Sequence, residues 1–227
     1  MIDTLQGIVL RAEDLGEYDK RLTLYTRELG KIKAKVIGVK KTASKLRGLT
    51  LPFTEARLQV YLHGAKRSGL RDPGKIVGGV ALFHHAKVRD DWERLIQCSA
   101  LCEILEALTH PLYQNEKEYT LLSETLHQME KTPRPVLLRL RFTLMLLKIL
   151  GYSLRHHPTW HGYSASEQDL LRRLALWDTE SDGFSNDETR WLERSAQSYL
   201  RNYLPSPLKT DMFQQKIIGM ETAEAGA

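Results

Sequence analysis

A chain of 227 residues, 42% hydrophobic and 27% charged, is long enough to bury a core and has the composition of a globular protein rather than a disordered or collagenous one. Its formal charge of +5 is unevenly spread: residues 1–80 hold 16 Lys/Arg against 8 Asp/Glu, whereas residues 81–227 hold 17 against 20. A basic front and a mildly acidic back suggest two parts, the first with a polyanion as partner.

No apolar run reaches the ~18 residues that would span a bilayer, and MIDTLQGIVL has no basic n-region, so a cytoplasmic protein is expected. Cys98 and Cys102 lie four apart in a helical pattern. Two cysteines supply at most half of a zinc site and no disulfide framework, so they read as buried thiols on a helix face.

The first part reads as strands. Leu5 to Arg11 is a short apolar run, and Arg21 to Arg27 alternates, with Leu22 and Leu24 opposite Thr23 and Tyr25. Gly30 marks a turn into Lys31 to Val39, which places Ile32, Ala34 and Val36 on one face. In Thr54 to Leu62, Ala56, Leu58, Val60 and Leu62 oppose Arg57, Gln59 and Tyr61, and Lys75 to Leu82 is a fifth candidate. Period two, punctuated by Gly or Pro, is the strand signal. Five strands in so short a span suit the OB-fold, the small barrel that binds oligonucleotides.

From about residue 84 the period changes to 3.6. One helix carries Trp92 to Leu108 after a cap at Asp90 or Asp91, and a second holds Tyr119, Leu122, Leu126 and Met129. A third runs from Arg134 to Leu150, with Gly151 placed to end it. Ser164 with Glu167, and Ser185 with Glu188, have capping-box spacing. The fold expected is therefore α+β: a five-stranded β-barrel over residues 1–82, then an all-α part over 83–227, with the tail at about 219–227 disordered.

The chemistry concentrates in one basic stretch. Between Glu28 and Glu55 there is no acid, yet Lys31, Lys33, Lys35, Lys40, Lys41, Lys45 and Arg47 all fall there. Strand side chains alternate, so Lys31, Lys33 and Lys35 share the face opposite Ile32, Ala34 and Val36. Lys40, Lys41, Lys45 and Arg47 carry the charge on into a loop of small residues. Tyr25, on the neighbouring strand, is expected on the same outer surface. Cations that track phosphates, beside a ring that stacks a base, are the elements of single-strand binding.

A solvated or edge-protecting face accounts for one or two lysines, not for seven without an acid. A membrane surface would call for an amphipathic helix with Trp or Phe opposite the charges. Walker A, GxSxG and HExxH patterns are absent, and His84-His85 near Asp90-Asp91 is too common a cluster to indicate a nuclease. A non-enzymatic nucleic-acid binder is expected. Phosphate contacts do not separate DNA from RNA, so an OB-fold factor acting on tRNA or the ribosome stands as the alternative.

The segments GIVL, LGEYDKRLTLYTRELG, GVKK…KLRG and LPF, in that order, resemble the N-terminal domain of the RecO family of bacterial recombination and repair mediators. LLKILGY at 146–152 resembles the family's Leu-Gly-Tyr helix end. The resemblance implies an OB-fold followed by a helical domain, and a protein that binds single- and double-stranded DNA and anneals complementary strands. It implies RecR and the acidic C-terminal tail of single-stranded DNA-binding protein as partners, in placing RecA on coated single strands. The basic loop would be the DNA-contacting surface. Many members of the family carry a four-cysteine zinc site after this corner, but GYSLRHHPTWHGYSASEQ has no cysteine. His156, His157 and His161 do not make up a second half-site, and no metal or other cofactor is expected.

The helix at 133–152 is apolar nearly all round, yet it carries Arg134, Arg139, Arg141 and Lys148, with no acid between Glu130 and Glu167. Cations on a buried helix need partners. Either an internal acid such as Glu103 or Glu106 supplies one, or Arg134, Arg139 and Arg141 rim a pocket for the acidic tail.

Overall fold

The computed structural model describes residues 2–62, 74–177 and 183–224. Five strands, β1 (Ile2–Leu15), β2 (Asp19–Thr26), β3 (Gly30–Val36), β4 (Glu55–Tyr61) and β5 (Gly74–Phe83), close into a barrel in the order β1-β2-β3-β5-β4. All neighbours are antiparallel except β3 and β5. This five-stranded closed barrel is the expected OB-fold.

β1 is longer than its apolar run because it serves two partners. Ile2 to Ile8 pair with β4 and Gly7 to Leu15 with β2, and a bulge between Val9 and Arg11 bends the strand between them. β3 stops at Val36, short of the expected Val39, because the chain turns at Gly38. Gly38 has a φ of 65° and donates its N–H to Asp19 Oδ1 at 2.7 Å. The inward alternation is as expected. Leu22, Leu24, Ile32, Ala34, Val36, Leu58 and Val60 join Leu5, Val9 and Ile76 in one buried cluster. Each large aliphatic side chain there is worth about 1.5–3 kcal/mol of burial.

Among the described residues eight α-helices follow: α1 (Ala86–Asp90), α2 (Trp92–Leu108), α3 (Glu116–Met129), α4 (Pro135–Ile149), α5 (Thr159–Gly162), α6 (Ala165–Leu176), α7 (Asn186–Arg201) and α8 (Lys209–Glu224). The chain forms two compact units, one comprising the strands with residues 109–126, the other residues 87–108 and those from 127 onward. In the first, residues 109–115 run beside β3 before α3 begins. Pro111 bridges Lys31, and the Leu112 N–H donates to the Lys31 carbonyl at 3.0 Å.

In the second unit α4 is central. Leu137, Leu138, Leu140, Phe142, Leu146 and Leu147 are buried, and α2, α6 and α7 pack on it. Pro135 opens α4 where its missing N–H costs nothing, and Gly151, with a φ of 89°, ends it as the Tyr152 N–H donates back to the Leu147 carbonyl at 2.7 Å. Both capping boxes, Ser164/Glu167 and Ser185/Glu188, are formed. α8 departs from expectation: it runs through Gly219 to Glu224, into the stretch read as a disordered tail. Its last residues, Met220 to Glu224, include good helix formers, and its cap comes from a distant side chain. Glu103 on α2 accepts the N–H groups of Lys209 and Thr210 at 2.7 and 3.0 Å.

Candidate nucleic-acid interface

The outer face of the barrel divides into a closed end and an open end. At the closed end, Ile8 and Tyr25 are fully buried and Glu55 nearly so. Glu55 accepts from Ser123 Oγ of α3 at 3.0 and 3.1 Å and lies 3.1 Å from His85 Nε2. The Tyr25 hydroxyl donates to Glu118 of α3, a carboxylate that is itself 1% exposed and also accepts from Asn115 at 2.7 Å. Burial first, and then the Glu118 carboxylate, push the Tyr25 phenol well above its ordinary pKa.

Tyr25 is therefore not the outer, base-stacking ring expected from its place on β2. It does point outward from the barrel, but the segment that returns at residues 109–126 covers it. Lys31 is drawn into the same cover, with its Nζ donating to the Thr109 carbonyl at 2.5 Å.

The open end carries the charge. Lys33 is exposed and Lys35 half-buried, on the face opposite Ile32, Ala34 and Val36. Strand register extends this face across the barrel: Arg21 lies opposite Lys35, Lys35 opposite Lys75, and Lys75 opposite Tyr61. The neighbours on either side, Leu22, Ala34, Val36, Ile76 and Val60, are buried, so these four side chains point outward. Arg57 adds an exposed cation on β4. The sequence alone did not single out Arg21, Lys75 and Tyr61. Their alternation was visible, but the β3–β5 pairing that aligns them was not.

The basic loop is ordered from within. Arg47 donates to the carbonyls of Lys40 and Lys41 at 3.2 and 3.1 Å, and the Lys40 N–H donates to the Tyr18 carbonyl at 3.0 Å. Lys40 pairs with Asp14 at 2.8 Å, and this bond to Lys40 holds the Asp14 carboxyl below its ordinary pKa. Lys41 sits 5.4 Å from the Tyr18 ring centre. Lys41, Lys45 and Arg47 are exposed. Among the described residues, no acid is ion-paired to Arg21, Lys33, Lys35, Lys41, Lys45, Arg47 or Lys75.

In the second unit Arg139 and Arg141 of α4, and Arg134 just before it, are engaged internally. Arg139 is 3% exposed, with Nη1 2.7 Å from Asp211 of α8 and Nη2 3.7 Å from Glu193 of α7. Burial outweighs Arg139 and raises the Glu193 pKa. Arg134 donates to Thr189 Oγ1 at 2.8 Å, and Arg141 to Gln128 Oε1 at 3.4 Å. Arg139 is thus no rim residue of an open pocket. It satisfies the internal-acid alternative, though with Asp211 and Glu193 in place of Glu103 or Glu106. His157 Nδ1 lies 2.7 Å from Thr159 Oγ1, and His156 and His161 are exposed.

Two family models match the chain: recombination protein O N terminal over residues 1–72, and recombination protein O C terminal over residues 89–157. The chain belongs to the RecO family. The DNA repair protein RecO of Pelotomaculum thermopropionicum is 39% identical over 146 residues, covering 64% of this chain and 54% of the relative. That of Bacillus mycoides is 29% identical over 151 residues, covering 66% and 58%. The chain spans a little over half the length of these curated relatives. Among the described residues no helix is long and apolar enough to cross a membrane.

Proposed function

We propose that the protein is a non-enzymatic DNA-binding mediator of recombinational repair. Its barrel, within residues 1–82, binds single- and double-stranded DNA through phosphate contacts, anneals complementary strands and helps load RecA on coated single strands. RecR and the C-terminal tail of single-stranded DNA-binding protein are the partners that membership of the RecO family implies. The observation that carries this reading is the outer barrel face and adjoining loop, where Lys33, Lys41, Lys45 and Arg47 are exposed and, among the described residues, no acid is ion-paired to them. Annealing requires phosphate repulsion to be screened while bases stay free to pair, and such a surface supplies that without covalent chemistry.

The test is annealing of complementary oligonucleotides coated with single-stranded DNA-binding protein, with and without this protein. In parallel, Lys33, Lys41 and Lys45 are replaced together by Ala; these three are chosen because none holds the loop. Affinity should fall about equally for unrelated sequences. The log–log salt slope on single strands should shrink by about 2, from ~0.7 per phosphate contact. No annealing, together with unchanged binding in the triple variant, refutes the proposal. Stronger competition by RNA than by DNA of the same sequence would favour an RNA-binding factor instead.

A further inference from the structure

One face of α8 is turned to water although it is apolar at its centre. Lys209, Met212, Phe213 and Lys216 share one stripe of the helix by their spacing, and all four are exposed. The opposite side of the helix is engaged, with Asp211 on Arg139 of α4. Trp92, at the start of α2, meets the exposed stripe: its ring centre lies 6.0 Å from that of Phe213, edge to face. Trp92, Met212 and Phe213 are 54%, 50% and 51% exposed. We propose that this patch docks a second copy of the chain about a two-fold axis. Trp92 and Phe213 of each copy pack on those of the other, and Glu93 of each faces Lys216 of the other. The inference goes beyond the function proposed above and does not depend on it.

Three observations support a second copy as the occupant. The first is the make-up of the patch. Large apolar side chains that stand together half in water mark an interaction surface, and Trp, Phe and Met are the types enriched where proteins meet. The second is charge. Glu93 follows Trp92 on α2 and Lys216 lies one turn beyond Phe213 on α8; both are exposed, and neither has an ion pair among the described residues. A two-fold contact uses the same surface on both sides, so the acid of each copy meets the cation of the other, twice. A nucleic acid would be repelled by Glu93. An acidic peptide would satisfy Lys216 but set like charge against Glu93. The third is size. Half of a large aromatic side chain is on the order of 100 Å², so the three residues offer about 300 Å² per copy. Stable interfaces bury ~800 Å² per partner, so the patch with its charged rim fits a weak, micromolar dimer rather than a permanent one.

The experiment is analytical ultracentrifugation of the full chain without nucleic acid, alongside Phe213→Asp, Glu93→Lys and Lys216→Glu, each checked for an unchanged melting temperature. The parent should pass from monomer toward dimer as its concentration rises from about 1 to about 100 µM. Phe213→Asp should stay monomeric throughout. Glu93→Lys alone sets cation against cation, and Lys216→Glu alone sets acid against acid, so each should weaken self-association at least ten-fold, on the order of what one close charge pair contributes. Mixed in equal amounts, these two variants present opposite charges at both crossed positions and should dimerise again. That recovery requires contact between copies, and a merely structural role for either residue would not produce it. Should Phe213→Asp fail to fold, the two charge variants decide, since both positions are exposed. A parent that stays monomeric, a dimer that none of the three variants weakens, or a mixture that does not recover overturns the proposal. A monomeric parent that binds an acidic peptide ending in an apolar residue, with the binding lost in Phe213→Asp, overturns it in favour of a peptide ligand.

Discussion

Replacing Arg139 by Ala separates an internal tie from a partner-binding arginine. The guanidinium is 4% exposed by side chain and faces two carboxylates, Asp211 at 2.7 Å and Glu193 at 3.7 Å. Removing one partner of a buried ion pair costs about 3–5 kcal/mol, because a charge is left stranded. Here the stranded acids retain 23% and 34% of their side-chain surface in water, so part of that cost is recovered by hydration. About 2 kcal/mol remains, which in a chain of this size lowers the melting midpoint by about 4–8 °C. Scanning calorimetry at pH 7 checks it. The pH dependence has a definite sign. Glu193 already has a raised pKa in the folded state, and loss of Arg139 raises it further. The folded variant then binds more protons than the unfolded chain above the ordinary Glu value, so its stability falls as pH rises through that window. The deficit of Arg139→Ala should therefore be smallest near pH 4.5 and grow toward pH 7. An unchanged midpoint with lost affinity for an acidic peptide ending in an apolar residue would refute the internal role and restore the pocket.

Two further outcomes bear on the barrel. Gly30→Ala should destabilise the protein severely, since Gly30 has a φ of 66° and an added Cβ would lie 2.0 Å from the Tyr113 carbonyl oxygen; thermal unfolding at parental stability would mean that residues 109–115 do not lie on the β2–β3 hairpin as described. Tyr25→Phe should lower stability by about 1–3 kcal/mol, by removing a donor from the buried Glu118 carboxylate, and should leave single-strand affinity unchanged in a fluorescence titration. A variant of parental stability with weakened binding would put Tyr25 back on the DNA surface.

Local patterns carried most of the architecture. Period-two alternation placed Ile32, Ala34, Val36, Leu58 and Val60 inside the barrel, where they are buried. Ser-x-x-Glu spacing marked the starts of α6 and α7, because a capping box is closed by residues three apart. The misses share a non-local cause. α8 went unseen because Glu103, more than a hundred residues upstream, caps it. The partners of Arg139 went unidentified because Asp211 and Glu193 approach it only through the packing of α7 and α8 on α4.

The cations and the aromatic rings of the barrel differ in legibility for an energetic reason. An unpaired lysine resists burial because its charge would have to leave water, so a run of cations with no acid near it in sequence favours an exposed face. Lys33, Lys41, Lys45 and Arg47 are exposed accordingly. A tyrosine gains apolar contact when buried and loses little when exposed, provided its hydroxyl finds a partner. Tyr25 and Tyr61 occupy equivalent outward positions in their strands, and nothing local distinguishes them. Glu118 decides the fate of Tyr25: it arrives on α3 with a buried acceptor for the Tyr25 hydroxyl. Charge therefore points from the sequence to the proposed binding face. Only the returning segment 109–126 reveals that Tyr25 is not on it.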